Sequence, residues 1–379
     1  MAEGYCLLNA SLTRRMSPPR ITSPDAPALA ELCGRLAELA SELDVSGNWP
    51  AEQLQLCGQY GVFEWFLEPE WGGQGWDQEA VVAGYVALGS ACLTTTFIIT
   101  QRTGACRRIA SSANRGLQDL LLPDLAQGKL FATVGISHLT TSRRHLARPV
   151  LRAEPTEGGF ILDGFSPWVT GACHAPYVVT GATLVLKDEP TKEQLLLVLP
   201  TDLPGVSVAD PAQLIGLTAS HTGEVRLDRV QVDYKWVIAG PVENVMSQGI
   251  GAGTGGYQTS ALAIGLARSA IAMLENESHQ RAELDVPVNA LQNEYQHLHD
   301  MLFSVVRGES GCRGEQLRHR ANSLALRATQ AALAAAKGTG YLQGHPAGRW
   351  CREALFFLVW SCPQPVVAAN LCELAGISE

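Results

Sequence analysis

The chain has 379 residues, and its 28 basic and 37 acidic side chains give it a formal charge of -9. Hydrophobic residues make up 46% and charged residues 17%, which is typical of a folded protein of two or three domains and not of a disordered one. The negative charge argues against a nucleic-acid partner and against general attraction to an anionic membrane.

The cysteines and the apolar segments indicate the compartment. The ten cysteines include no CxxC pair, which favours free thiols in a reducing environment. The first residues, MAEGYCLLNASLTRR, lack the apolar core of a secretory signal. No uninterrupted apolar run reaches the roughly 18–20 residues that span a bilayer. We therefore predict a cytoplasmic protein without membrane insertion.

Hydrophobic periodicity divides the chain into regions in the order helical, β, helical. Residues 1–25 are polar and predict a flexible leader. Residues 26–129 carry leucines spaced three and four apart, which predicts an N-terminal helical domain. Residues 130–240 contain short β-rich runs between turn residues and predict a middle β domain. Helical spacing returns in residues 241–379 and predicts a C-terminal helical bundle.

Three stretches of the sequence carry a resemblance to a known family. They read EPEWGGQGWD (68–77), GGFILDGFSPWVTGACHAPYVV (158–179) and KGTGYLQGHPAGRWCREA (337–354). In this order they resemble segments of the acyl-CoA dehydrogenase superfamily. The resemblance covers about residues 27–370. It implies an α+β fold with an N-terminal helical domain, a middle β-barrel domain and a C-terminal helical bundle.

The resemblance also implies an FAD cofactor and suggests which residues bind it. Trp168, Val169 and Thr170 end a strand that lies against the flavin ring in the family. Gly338 and Gly340 occupy a turn that contacts the adenine half of the flavin across a subunit boundary. A homodimer or homotetramer is therefore expected.

Two further flavin contacts are expected where the sequence departs from the family. Ser137 begins the stretch SHLTTSRRHLARP, which stands in place of a glycine-rich flavin-binding segment. Arg281 lies in the region of the arginine that holds the flavin pyrophosphate, but Leu284 and Asp285 replace the usual Phe and Gly. Binding of FAD is thus predicted on an altered set of contacts.

Two arginines in the altered stretch are candidates for binding substrate. Arg143 and Arg144 could hold a phosphate or a carboxylate of CoA or of another acid. The alternative interpretation of the same charges is a solvated surface loop.

The position of the family's catalytic glutamate holds a serine. Counting from Arg352-Glu353-Ala354 places that position at Ser361. A serine hydroxyl is neutral at pH 7 and retains its own proton, so it does not take the α-proton of a thioester. A second position that hosts the base in some members falls near Gly255. The one nearby carboxylate, Glu243, is a possible substitute for the base, but the favoured interpretation is that it starts a helix and interacts with its dipole.

Three functions remain open on these residues. The first is a flavin-dependent oxidoreductase that dehydrogenates a small-molecule acyl thioester. The second is a flavin monooxygenase on the same fold, since Gly171, His174, Ala175 and Tyr177 resemble a pattern in such enzymes that places His174 near the reacting oxygen. The third is a binding protein without redox activity. No metal site is predicted.

Overall fold

The computed structural model describes residues 19–140, 149–247, 256–309 and 311–377. Within these residues, five α-helices are followed by eight strands that include one short helix, and then by five more α-helices. This is the helical, β, helical order that the sequence predicts.

The N-terminal helices begin and end at residues suited to those positions. They are α1 (Pro27–Ser46), α2 (Ala51–Gln59), α3 (Gln78–Ala91), α4 (Leu93–Ala110) and α5 (Arg115–Ala126). Gly47 ends α1 in the left-handed region with a φ of 65°, and its N–H donates to Leu43 O at 3.0 Å. Asp77 caps α3 because its Oδ1 accepts the Ala80 N–H at 2.8 Å. The loop between Gly47 and α2 carries a tryptophan that contributes to the site described below.

The middle region is one eight-stranded sheet. Its strands are β1 (Ala132–Gly135), β2 (Leu151–Thr156), β3 (Gly159–Val169), β4 (Tyr177–Leu186), β5 (Glu189–Pro200), β6 (Val206–Val208), β7 (Gly223–Asp233) and β8 (Val237–Glu243). The pairing order is β6-β7-β3-β2-β4-β5-β8, and β1 pairs with β4 in parallel. Helix α6 (Ser137–Thr140) follows β1 at once and therefore lies at the end of that strand.

The C-terminal helices pack against the N-terminal ones and share a core with them. They are α7 (Tyr257–Ser278), α8 (Asp285–Val306), α9 (Gly314–Ala336), α10 (Pro346–Leu355) and α11 (Gln364–Leu374). Helix α7 lies so close to α3 that a Cβ atom at Gly265 would be 2.6 Å from Val86 O. Val86 and Leu262 belong to one apolar cluster that draws residues from both helical regions. Glycine at this crossing allows the two backbones to approach.

The predicted fold class is confirmed, and the predicted β-barrel takes the form of the eight-stranded sheet. The domain boundaries after residues 25, 129 and 240 stay predictions. One detail was wrong: Glu243 is the exposed last residue of strand β8 and does not start a helix. Among the described helices, none has both the length and the apolar content that crossing a membrane requires.

Candidate active site

The end of strand β3 offers an aromatic surface beside a chain of hydroxyl groups. Trp168 keeps 51% of its surface exposed, whereas Val169 and Thr170 are buried. Thr170 Oγ1 lies 3.0 Å from Thr222 Oγ1, which lies 2.9 Å from Ser220 Oγ. Each hydroxyl has one hydrogen to donate, and two bonds join the three, so one hydrogen remains for another acceptor. This strand end can stack on a planar ligand and also donate to it.

Strand β1 and helix α6 bring Ser137 close to this strand end. A Cβ atom at Gly135 would lie 2.8 Å from Val169 Cγ2 and 2.7 Å from Ser166 Oγ, so the two strand ends approach closely. The side-chain oxygens of Ser137 and Ser166 are buried and have no hydrogen-bond partner in the described chain. An unpaired buried hydroxyl costs about 1–3 kcal/mol. A polar ligand that reached these oxygens would remove that cost.

Arg281, Gly338 and Gly340 gather at a different place, the end of helix α9. Arg281 Nη1 donates to Ala335 O at 2.7 Å, three residues before Gly338. Gly340 is in close contact with its own helix, because a Cβ atom there would lie 2.7 Å from Ala336 Cβ. Gly338 has open space around its α-carbon, which suits contact with a ligand or another chain.

Arg281 is not a free cation within one chain. Its Nη1 lies 3.5 Å from a Glu277 carboxylate oxygen, and its Nε lies 3.2 Å from Glu283 Oε1. The Glu283 carboxylate accepts hydrogen bonds from its own backbone N–H and from Arg281. These bonds hold the pKa of Glu283 below its usual value. A pyrophosphate would have to compete with both carboxylates for this guanidinium.

Ser361 lies in the turn of residues 356–362, whose backbone is held by helix α9. The Ser361 backbone has a φ of 46°, in the left-handed region. Arg318 Nη2 donates to Trp360 O at 3.0 Å, and Asn322 Nδ2 donates to Phe357 O at 3.0 Å. These bonds reach carbonyl groups of the turn and not the side chain at 361. These bonds support the turn without a contribution from the side chain at 361, although the left-handed backbone there disfavours β-branched residues.

Three aromatic rings pack beside Ser361. Trp360 stacks on Phe356 with ring centroids 5.2 Å apart and an angle of 12° between planes. Phe97 of helix α4 meets both rings edge-on, at 4.7 Å from Phe356 and 5.1 Å from Trp360. Edge-to-face and offset-stacked pairs at these distances are favourable. The N-terminal and C-terminal helices thus meet around this turn.

A buried cation lies behind the 356–362 turn. Arg318 is 1% exposed, and its Nε and Nη1 atoms have no hydrogen-bond partner in the described chain. Burial lowers the pKa of this guanidinium to about 10, and the nearby Cys362 thiol partly offsets the effect. A positive charge in this place would favour the ionised form of a carboxylic acid at position 361.

Helix α10 holds a buried carboxylate, Glu353, which no sequence motif marks as functional. Glu353 is 3% exposed, and burial raises its pKa to about 7 despite the nearby Arg349 guanidinium. The closest ion-pair distance, from Arg349 Nε to Glu353 Oε1, is 3.8 Å. Asp44 of helix α1 raises the same pKa further. Glu353 is thus a partly neutral buried acid at neutral pH.

His174 lies in the turn of residues 171–174, which follows the Trp168 strand end. Its Nε2 atom is 2.9 Å from His221 Nδ1, and its ring stacks on Trp49 with centroids 4.2 Å apart. Burial and the neighbouring His221 lower the pKa of His174. Cys173 Sγ is 3.8 Å from His221 Nδ1. His221 and Trp49 come from distant sequence positions, and no sequence motif pointed to them.

His174 and Trp49 also form part of the wall of a cavity of 470 Å³. Ligand pockets in proteins fall in a range of about 300–1,000 Å³. Phe63 and Arg102 line the same cavity, and the Arg102 guanidinium lies 4.0 Å above the Phe63 ring. The cavity thus lies among N-terminal helical residues, Phe131 just before strand β1, and the 171–174 turn.

Arg143 and Arg144 lie outside the described residues, as does the region near Gly255. Their predicted roles stay predictions.

Comparison with known proteins agrees with this architecture. The model of a family described as "Acyl-CoA dehydrogenase, N-terminal domain" matches residues 30–129. The chain is 22% identical over 336 residues to a probable acyl-CoA dehydrogenase, YngJ, of Bacillus subtilis (strain 168), with 84% of this chain and 88% of that protein covered.

Two solved structures show the same fold. Butyryl-CoA dehydrogenase from Megasphaera elsdenii superposes with a TM-score of 0.78 at 16% identity, covering 92% of this chain and 97% of that one. Glutaryl-CoA dehydrogenase from Mycobacterium smegmatis in complex with FADH2 superposes with a TM-score of 0.76 at 16% identity, covering 93% and 96%. Residues 30–129 thus match the acyl-CoA dehydrogenase N-terminal family, and the chain as a whole has the fold of the acyl-CoA dehydrogenases.

Proposed function

We propose that this chain is a flavin-dependent oxidoreductase that binds FAD and acts on an acyl thioester by α,β-dehydrogenation. The observation that carries the proposal is the strand end at residues 168–170. There, a half-exposed indole lies beside a hydroxyl chain with one hydrogen to spare and near the unpaired oxygens of Ser137 and Ser166. A planar, heteroatom-rich ring matches both features.

These residues fit the ring end of the cofactor. Trp168 would pack on the ring, and the Thr170 and Ser137 hydroxyls would bond its heteroatoms. The flavin, when bound, would accept the hydride that leaves the β-carbon of the substrate. At the pyrophosphate end, Arg281 is already paired with Glu277 and Glu283. We therefore include in the proposal a homodimer or homotetramer in which Gly338 and Gly340 meet the cofactor of a neighbouring subunit.

The substrate class follows from the relatives named above. They are a probable acyl-CoA dehydrogenase, a butyryl-CoA dehydrogenase and a glutaryl-CoA dehydrogenase. We propose that a small acyl thioester binds here too, with Arg143 and Arg144 as candidates for contacting its anionic groups. We also propose that the protein works in the cytoplasm.

The proposed reaction lacks a strong base at its expected position. Ser361 carries a neutral hydroxyl and cannot hold the α-proton at pH 7. Glu353 is a buried acid eight residues earlier and faces Arg349 and helix α1. We therefore expect slow dehydrogenation, in which the scaffold orients the substrate but the chain's own proton transfer is weak.

The monooxygenase alternative is not favoured, although His174 lines the cavity described above. It requires His174 to be available near a reacting oxygen. The His174 ring is instead bonded to His221 and stacked on Trp49.

A visible spectrum tests the proposal. We expect the full-length protein to show flavin absorbance as purified or after addition of FAD, and Trp168→Ala to weaken FAD binding. Under argon, butyryl-CoA or glutaryl-CoA should bleach this absorbance slowly. A colourless protein that does not take up FAD would overturn the proposal. Bleaching that occurs only with oxygen and added reduced flavin would support the monooxygenase instead.

A further inference from the structure

We propose that Cys173, His174 and His221 form a binding site for a zinc ion. Their three donor atoms, Sγ, Nε2 and Nδ1, all lie within 4.8 Å of one another. One thiolate and two imidazoles are a donor set that zinc accepts in proteins. The proposal does not depend on flavin binding or on an acyl substrate.

Two of the three separations between donors are close to those of a tetrahedral zinc site, and the third is within 4.8 Å. Zinc lies about 2.0–2.1 Å from imidazole nitrogen and about 2.3 Å from thiolate sulfur, so tetrahedral angles place two nitrogens about 3.3 Å apart and nitrogen and sulfur about 3.6 Å apart. Here the two nitrogens are 2.9 Å apart, and Sγ lies 3.8 Å from Nδ1 of His221. Small side-chain rotations in exposed residues would complete the geometry.

A backbone carbonyl determines which nitrogen of His221 carries a lone pair. His221 Nε2 lies 3.1 Å from Gly47 O, and a carbonyl oxygen only accepts, so Nε2 carries the hydrogen. The Nδ1 atom of the neutral ring is therefore unprotonated and directed at the other two donors. Metal-binding histidines commonly have their second nitrogen held by a carbonyl in this way.

The backbone around the three residues holds an unfavourable conformation to bring them together. His221 has a φ of 46°, which is uncommon for a residue other than glycine. Hydrogen bonds from Gly171 N–H to His221 O, at 3.1 Å, and from His221 N–H to Thr218 O, at 3.1 Å, hold it there. Non-glycine residues held in the left-handed region are concentrated at functional sites.

Binding would exchange protons for the metal. Without zinc, His174 Nε2–H donates to the lone pair of His221 Nδ1. On binding, Cys173 releases its thiol proton to solvent, and the proton on His174 moves from Nε2 to Nδ1 through solvent. Three protein ligands leave the fourth position to water. Because His174 also lines the 470 Å³ cavity, that water could be exchanged for a molecule held there.

Metal titration of the full-length protein tests the site. After treatment with a chelator, we expect one equivalent of Zn²⁺ to bind in calorimetry. Co²⁺, as a coloured substitute, should give a thiolate-to-cobalt charge-transfer band and quench the Trp49 emission. Cys173→Ser should abolish the band, and His174→Gln and His221→Asn should each weaken Zn²⁺ binding by about 100-fold or more. Asparagine is chosen because it tolerates left-handed backbone.

Matched controls use the same residue types elsewhere in the chain. Cys312→Ser and His279→Gln should leave the stoichiometry, the band and the affinity unchanged. Trp49→Phe should retain binding but lose its share of the quenching. Absence of Zn²⁺ binding, or a cobalt band that persists in Cys173→Ser, would overturn the proposal and leave a hydrogen-bonded histidine pair. Neither a positive nor a negative metal titration bears on whether the protein binds flavin, which the visible spectrum tests separately.

Discussion

The turn of residues 171–174 and the turn of residues 356–362 differ in what they hold in place. In the first, the surroundings position reactive side chains: a cysteine and a histidine face His221, whose tautomer is set by Gly47 O. In the second, the surroundings position backbone carbonyls, which accept from Arg318 and Asn322. Position 361, where the family's base is predicted to fall, holds a serine with a neutral hydroxyl.

This difference shows that the contacts that stabilise a turn and the side chains that could react there can be separate. The 356–362 turn is packed through its backbone carbonyls and aromatic rings, with a serine at position 361. The 171–174 turn depends on its side chains, because the two histidines and Trp49 are one another's partners. Four substitutions test this contrast, from the largest expected effect to the smallest.

Truncation of Phe97 should destabilise the 356–362 turn most. The ring contacts Phe356 and Trp360 and is 5% exposed, so Phe97→Ala should lower the free energy of unfolding by about 3–5 kcal/mol. Phe97→Leu keeps most of the volume and should cost less. Urea unfolding followed by fluorescence measures both. Equal, small effects would show that the aromatic cluster does not support the turn.

The buried acid before the turn should make stability depend on pH. The Glu353 pKa is about 7 in the folded protein against 4.5 for the free group, so its stabilising contribution is complete below pH 4.5 and is lost as pH rises through 7. A shift of this size is about 3 kcal/mol. Glu353→Gln should therefore gain up to that amount relative to wild type between pH 4.5 and pH 8. If the free energies of unfolding of the two proteins changed with pH in parallel, the raised pKa of Glu353 would be contradicted.

A carboxylate at position 361 should restore proton abstraction. The supported backbone and the Arg318 charge favour an ionised glutamate there, so Ser361→Glu should speed anaerobic bleaching of the flavin by an acyl-CoA by about 100-fold, or about 2.7 kcal/mol of barrier. Ser361→Gln has the same size without the charge and should give no gain. Stopped-flow absorbance at saturating substrate measures both. If the glutamate and glutamine variants behave alike, another position supplies the base.

A single methyl group should disturb the 171–174 turn. Gly171 has a φ of 65°, and a Cβ atom there would lie 2.6 Å from the Trp49 ring. Gly171→Ala should therefore cost about 2 kcal/mol and separate Trp49 from His174. Gly158→Ala is the control, since its Cβ would have no neighbour within 4 Å and its cost should stay within about 0.5 kcal/mol. Thermal unfolding and tryptophan emission report on both; equal costs would contradict the strain at Gly171.

The sequence predicted the fold well because periodicity records local burial. The leucine spacing of helix α1 and the β-rich runs report which face of each element is covered, and that is enough to order the elements. The sequence also offers candidates for the site: Trp168 lies in a stretch that resembles a known family, and Ser361 is placed by counting onward from another. Both assignments stay predictions.

The rest of the site depends on contacts between distant residues. His221 stands 47 positions after His174 and has no flanking motif, so only folding brings the two rings to 2.9 Å. Arg318 is one of three arginines on helix α9 (Gly314–Ala336), and the sequence does not show that it is the buried one. Hydrophobic periodicity shows which face of a helix is buried, but it does not show how deeply a particular charged side chain is buried.

The hydrogen bonds that reach Trp360 O and Phe357 O separate the shape of the turn from the identity of residue 361. Neither bond involves that side chain, so the constraint that the backbone places on the residue is its left-handed φ of 46°, a conformation in which β-branched residues are outliers. On the proposed assignment of position 361, a mutation that respects this backbone would change reactivity without changing the packing of the turn.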